Sequence, residues 1–216
     1  MVHRLTEQNS LASQFIEELR SVSKQNDRLR FRKNMERLGE IFAYEISKKL
    51  SYNEVKTETP LGIATTSTLT DRIVLSAILR AGLPFHQGFL NYYDEADNAF
   101  VSAYRTHHKD GSFEVSLQYV TCPDIKDSIL IIIDPMLATG SSFGKAMEAL
   151  LEHGKPKEVH FVTVIASQYG VDYMRRDFPD VHLWVGDIDE ELTAKAYIVP
   201  GLGDAGDLCF GSKKQE

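Results

Sequence analysis

The chain has few cysteines, no long apolar run and no excess of positive charge. Its two cysteines, Cys122 and Cys209, lie far apart without metal-ligand spacing, which predicts free thiols in a reducing compartment rather than a bridge. No window approaches the roughly 18 consecutive apolar residues of a membrane span. The opening MVHRLTEQNS has no apolar core of a secretory signal. Both features predict a cytoplasmic protein with no membrane partner. With 24 Lys and Arg against 31 Asp and Glu, the net charge of -7 argues against broad electrostatic binding to nucleic acid. Internal repeats, low-complexity tracts and a linker long enough to divide the chain are lacking as well. What is present, 216 residues of which 43% are hydrophobic, can bury a sizeable core as a single domain.

The N-terminal quarter carries helical periodicity. Leu11, Phe15, Ile16 and Leu19 form one stripe, and after the polar break SKQND a second runs through Phe31, Met35, Leu38, Ile41, Phe42 and Ile46. From residue 60 the pattern changes to short runs punctuated by Gly, Pro and Asp: RIVLSAIL, AFVSAYR, SFEVSLQYV, SILIII, EVHFVTVIA and VHLWVG. The runs ILIII and VHFVTVIA are nearly continuous, as central strands of a parallel sheet covered on both faces must be. AFVSAYR and SFEVSLQYV alternate instead, and with Gly111 between them they predict a β-hairpin, an appendage that would serve as a flap. The expected fold is α/β, a mostly parallel sheet flanked by helices. His86, His107 and His108 have no second ligand or acid spaced to support them and are expected at the surface. Trp184 reads as packing, and DIDEEL at 187 to 192 as a solvated helix start.

The stretch SILIIIDPMLATGSSFGKAMEALLEHG, residues 128 to 154, holds the chemistry. An apolar strand ends in Asp134 and passes through a small, hydroxyl-rich turn into a helix with Ser142 near its N-cap, Gly154 at its stop and Pro156 beyond. Ligands of open parallel sheets bind beyond the carboxyl ends of the strands, which is where this turn falls. A helix start with unpaired N–H groups favours a phosphate, and Thr139, Ser141 and Ser142 add hydroxyls. The loop has no Lys, so it is neither a Walker A loop nor the G-x-G-x-x-G turn. It suits a phosphorylated sugar whose hydroxyls Asp134 accepts from. An ordinary strand-to-helix turn with Asp134 as a capping residue remains open on these grounds alone.

DPMLATGSS resembles the phosphoribosyl-pyrophosphate (PRPP) loop of type I phosphoribosyltransferases, in the form found in uracil phosphoribosyltransferases. ILRAGL at 78 to 83, YR at 104 to 105 with its hairpin, and YIVPGLGDAGD at 197 to 207 agree with that family, as do RFR at 30 to 32 and YE at 44 to 45. The resemblance covers most of the chain in order. It implies a type I phosphoribosyltransferase-like fold over residues 1–216, with an N-terminal helical region at 1–58, a β-hairpin flap at 98–121 and a C-terminal base-binding loop at 193–212. The implied reaction joins uracil to PRPP with Mg²⁺ assistance, giving UMP and pyrophosphate in pyrimidine salvage. Arg80, Arg105, Asp134 and Asp204 are the implied catalytic set. PRPP would lie against Arg80, Arg105, Asp134, Pro135, Met136, Leu137, Ala138, Thr139, Gly140, Ser141, Ser142 and Asp204. Uracil would lie against Ile198, Gly203, Asp204 and Ala205, and Asp204 would stand near a metal held mainly by PRPP and water. A homodimer or larger homo-oligomer is implied too.

The chain departs from the family in two places. Ser141 replaces the middle glycine of ATGGS, a source of strain if that position needs a positive φ. Leu208 and Cys209 follow GDAGD where a basic residue is usual, and Ser212 stands in the closing FGT. Two other functions remain open: a non-catalytic PRPP- or UMP-binding regulator of the same fold, and a purine-using transferase. Pro135, where purine enzymes carry a second acid, speaks against the latter.

Overall fold

The computed structural model describes residues 1–107 and 113–213, apart from the side chains of residues 104–107 and 113–115. Strand β1 (Val2–Arg4) is followed by helices α1 (Leu11–Arg20) and α2 (Arg28–Ser47). Ser10 caps α1 by accepting from the Ala12 amide at 3.2 Å, and Asp27 caps α2 by accepting from the Arg30 amide at 3.0 Å. The expected stripes face inward: Ile16, Leu19, Phe31, Met35, Leu38, Phe42 and Ile46 are all buried. Phe15 and Ile41 are only partly buried, and Leu11 is 65% exposed, because the buried face of α1 runs through Ala12, Ile16 and Leu19 and leaves Leu11 and Phe15 to one side.

Strands β2 (Tyr52–Thr59) and β3 (Gly62–Leu69) then form a separate antiparallel ribbon. The helical region expected through residue 58 therefore ends at Ser47 and also contains β1 and most of β2. Nearly every ribbon residue is exposed on both faces, so no buried side created the apolar contrast that announces a strand.

The body continues through β4 (Ile73–Leu79), α3 (Gly82–Leu90), β5 (Asp97–His107), β6 (Phe113–Thr121), β7 (Ile129–Ile133), β8 (Met136–Leu137) and α4 (Ser141–Leu151). It closes with β9 (Glu158–Ser167), α5 (Gln168–Asp177), β10 (His182–Asp189), β11 (Glu191–Leu192), β12 (Ile198–Val199) and α6 (Ala205–Phe210). The main sheet runs in the order β1, β10, β9, β7, β4, β5, β6, with β8 beside β9. Every pair in it is parallel except β5 with β6.

The continuous apolar strands do what their pattern requires. Ile129, Ile131 and Ile133 of β7 enter the cluster formed with α1, α2 and α3. Leu130 and Ile132 enter the opposite cluster with Phe143, Leu150, Val171 and Met174 of α4 and α5. Two helical layers thus sandwich the sheet, and no face of β7 meets water. The chain leaves β4 for β5 on one side and returns to β7 on the other, so the strand order reverses between β4 and β7. That reversal opens a crevice at the strands' carboxyl ends.

The hairpin β5–β6 is present, with a register shift between Ser102 and Ala103. Gly111, His108 and the His107 side chain lie outside the described residues. His86 is not at the surface: it is 3% exposed, its Nε2 lies 2.7 Å from Asn98 Oδ1, and burial lowers its pKa. Helical spacing put it on the buried side of α3. Trp184 is buried, donates its indole N–H to His160 Nδ1 at 3.0 Å and stacks on His3. DIDEEL is not a helix start but the end of β10 and the whole of β11, because distant arginines neutralise its aspartates. Both cysteines are free. Among the described residues no helix is long and apolar enough to cross a membrane.

Candidate active site

Asp134 immediately follows β7, half-buried at the edge of the crevice. Its Oδ1 accepts from the Met136 amide at 3.2 Å, so it also shapes its own turn, as the capping reading expected. Pro135 turns its carbonyl to the amides of Val164 and Ile165 at 3.1 and 3.0 Å, and Met136 and Leu137 then pair with β9 as β8. The Ala138 carbonyl accepts from Ser167 Oγ at 2.5 Å. Residues 135 to 138 are therefore fixed to β9 and form a floor. Above it Thr139, Ser141 and Ser142 remain half-buried, with Thr139 Oγ1 2.9 Å from Ser141 Oγ.

Helix α4 begins at Ser141 rather than after Ser142. Its N-cap is Gly140, at φ 85, which has no side chain to cap the first turn. Ser142 is displaced from the cap because only the glycine before Ser141 can adopt the left-handed bend that starts the helix. The bend falling on Gly140 also removes the expected strain at Ser141. Among the described residues the non-glycine positions with positive φ are Asp127 and Ala196.

Arg80 follows β4 at the other wall of the crevice, after a cis Leu79–Arg80 peptide. Its guanidinium reaches the C-terminal segment, where Nη2 donates to Asp207 Oδ1 at 2.7 Å and Nη1 to the Gly211 carbonyl at 3.3 Å. The guanidinium also lies close to Gly206, where a Cβ would stand 3.1 Å from Arg80 Nη2. Arg105 lies on β5, the neighbour of β4, and its side chain lies outside the described residues.

The loop after β12 passes through Gly201 and Gly203, both at positive φ, into α6. Asp204 caps α6 by accepting from the Asp207 amide at 3.0 Å, and its Oδ2 accepts from Lys213 Nζ at 3.2 Å. Burial alone would raise its pKa, but the Asp207 amide and the Lys213 ammonium outweigh it and hold the carboxyl below its ordinary value. Lys213, half-exposed, thus sets a positive charge beside Asp204. Ile198 and Ala205 are buried beneath this loop, and Gly203 is exposed. Burial pushes the Cys209 thiol up to about 12, so it packs and does not react.

Several residues that support this loop were not read from the sequence as site residues, although RFR and DIDEEL drew notice for other reasons. Asp189, 6% exposed, accepts from Arg20 Nη1 and Nη2 at 2.7 Å each and from the Gly201 amide at 2.8 Å. Arg20 also donates to the Gly201 carbonyl at 2.9 Å. Arg32, in the RFR segment, donates to the Cys209 carbonyl at 2.7 Å. A pocket of about 680 Å³ lies against this loop, between Gln25–Arg28 on one side and Asp204 and Asp207 on the other. The structure thus links Arg80 and Asp204 through α6. Asp134 and its loop stand on the strand next to that of Arg80. Among the described residues no group of three or more His, Cys, Asp or Glu could hold a metal ion.

A family model described as uracil phosphoribosyltransferase matches residues 6–212. A uracil phosphoribosyltransferase of Porphyromonas gingivalis is 53% identical over 98% of this chain and 99% of its own. One from Methanothermobacter thermautotrophicus is 42% identical over 84% of this chain and 83% of its own. Among solved structures, the AQ2163 protein from Aquifex aeolicus aligns with a TM-score of 0.88 at 32% identity, covering 98% of each chain.

Proposed function

The chain belongs to the uracil phosphoribosyltransferase family, and from that premise we propose how its crevice joins uracil to PRPP, giving UMP and pyrophosphate. The carrying observation is convergence: the Asp134 loop and Arg80 leave adjacent strands at the point of strand-order reversal, and Arg80 reaches the loop of Asp204. Hydroxyls of Thr139, Ser141 and Ser142, with backbone N–H groups of the first turn of α4, receive the 5′-phosphate over the floor of Pro135 to Ala138. Asp134 accepts from the ribose hydroxyls. Ile198, Gly203, Asp204 and Ala205 present a backbone edge to uracil. An N–H facing its O4 rejects cytosine, whose amino group would leave a buried donor unpaired.

As the bond from the anomeric carbon breaks, negative charge gathers on the departing pyrophosphate. Arg80 stabilises it there by exchanging its Asp207 partner for a phosphate oxygen, and Arg105 does the same from the flap. Closure of the flap keeps water from the electron-poor sugar carbon.

Mg²⁺ is the proposed cofactor, and Asp204 fits it as an ionised, half-buried carboxylate beside Arg80's partner helix. Magnesium takes one or two carboxylates together with substrate phosphates and water. When bound it neutralises charge on pyrophosphate. We place the enzyme in the cytoplasm as a homodimer or larger homo-oligomer. The exposed apolar residues of the β2–β3 ribbon, Leu61 at its turn and Ile63 among them, support assembly.

The test is UMP formation from labelled uracil and PRPP with Mg²⁺, against cytosine, hypoxanthine and orotate. Turnover with uracil alone is expected. Binding of PRPP or UMP without turnover of any base would replace the enzyme with a regulator.

A further inference from the structure

We infer that Tyr173 is a positioning residue for the phosphate loop, a role that rests on the reading of residues 139–142 as the 5′-phosphate cup. Tyr173 lies on α5, in the chain segment after β9, and makes none of the substrate contacts assigned above. Its ring is nonetheless seated against the two glycines that begin α4. A Cβ on Gly140 would lie 2.1 Å from Tyr173 Cδ1 and 2.5 Å from Cε1, and one on Gly144 would lie 2.7 Å from its hydroxyl oxygen. Both glycines are buried, and the Gly144 amide donates to the Gly140 carbonyl at 2.9 Å, closing the first turn of the helix. The ring therefore covers the left-handed bend at Gly140 and the turn after it together.

A second set of contacts holds the ring in place. Ser167, at the start of α5, donates to the Ala138 carbonyl at 2.5 Å and accepts from the Gly170 amide at 2.9 Å, which ties α5 to the floor of the loop. Phe178 meets Tyr173 edge-on at 5.7 Å and Phe143 of α4 edge-on at 5.0 Å. The Arg176 guanidinium lies 5.8 Å over the Tyr173 ring. Loop, ring and both helices thus form one packed unit around the left-handed bend at Gly140. Without the ring, Gly140 regains the broad freedom of an uncovered glycine, and the amides that follow it lose their fixed direction.

The experiment is calorimetric titration of the full-length protein with ribose 5-phosphate and, separately, with pyrophosphate. The two probes read opposite ends of the PRPP site and need no turnover. Tyr173→Ala should weaken ribose 5-phosphate binding by about fivefold or more, while pyrophosphate binding stays within about twofold. Tyr173→Phe should restore it, because the ring covers Gly140. Equal loss for both probes would mean that Tyr173 only stabilises the fold, and no loss for either, or failure of Phe to rescue, would equally overturn the inference. Wild-type protein that binds ribose 5-phosphate in a Tyr173-dependent way but forms no UMP would sink the enzymatic reading and leave this one standing.

Discussion

Asp189→Ala separates the foundation of the base loop from that of the phosphate loop. The carboxylate is 6% exposed and accepts three bonds of 2.7 to 2.8 Å, two from Arg20 and one from the Gly201 amide. Removing it strands part of a guanidinium and leaves the buried Gly201 N–H without this acceptor. Loss of one member of a buried ion pair costs about 3–5 kcal/mol. Arg20 keeps Asp187 at 3.0 Å, and its side chain is 20% exposed, so the low end applies, about 3 kcal/mol. For a chain of this size that lowers Tm by roughly 6–12 °C. Gly201 is also where Asp189 and Arg20 grip the base loop, so KM for uracil should rise while KM for PRPP holds. Asp189→Asn, which keeps an oxygen for the Gly201 amide, should fall between. Scanning calorimetry and initial rates measure both effects. A Tm within 2 °C of wild type, or equal weakening of both substrates, would refute the assigned anchor.

Arg80→Ala should lower turnover by about 10²- to 10³-fold, as loss of a donor at developing charge does, and steady-state rates at saturating uracil measure it. A rate near wild type would remove Arg80 from the pyrophosphate site. Ala205→Leu should block uracil before it affects PRPP, seen as a rise in KM for the base alone. Unchanged uracil affinity would mean that the pocket lies elsewhere. Hydrogen bonds from Arg30 and Asn34 lower the Glu18 pKa from 4.5 to about 2 despite burial. Its stabilisation is fully present above pH 4.5 and drains as pH falls toward 2, so Glu18→Gln should flatten the fall of Tm across that window. An identical slope in the variant would discount the pair.

Much of this was legible in the sequence for reasons that can be named. Strand β7 was readable because both its faces are buried, and the helices α1 and α2 because one face is. The hydroxyl-rich turn between an apolar strand and a helix left an ordinary capped turn open, and the PRPP-like loop became readable through the resemblance of DPMLATGSS in company with ILRAGL and YIVPGLGDAGD. The ribbon β2–β3 was not, since a strand exposed on both faces writes no period into its sequence. Nor were Asp187 and Asp189, whose acidic run looks solvated until Arg4 and Arg20 are brought to it from the far end of the chain. His86 looked superficial because its partner Asn98 sits on the next strand rather than nearby on its own helix.

The two halves of the crevice differ in how much chain each must gather. The phosphate half draws on residues 134 to 178, and the widest of the hydrogen bonds described for its loop, from the Ile165 amide to the Pro135 carbonyl, joins residues 30 apart. The base half is held by Arg20 to Asp189, Arg32 to Cys209 and Arg80 to Asp207, which are 169, 177 and 127 residues apart. Loop-closure entropy makes such distant pairings the late ones. All of the phosphate half's parts exist once residue 178 has left the ribosome, whereas the uracil half waits for residue 209. A nascent chain therefore owns its anion cup before it owns any means of choosing a base.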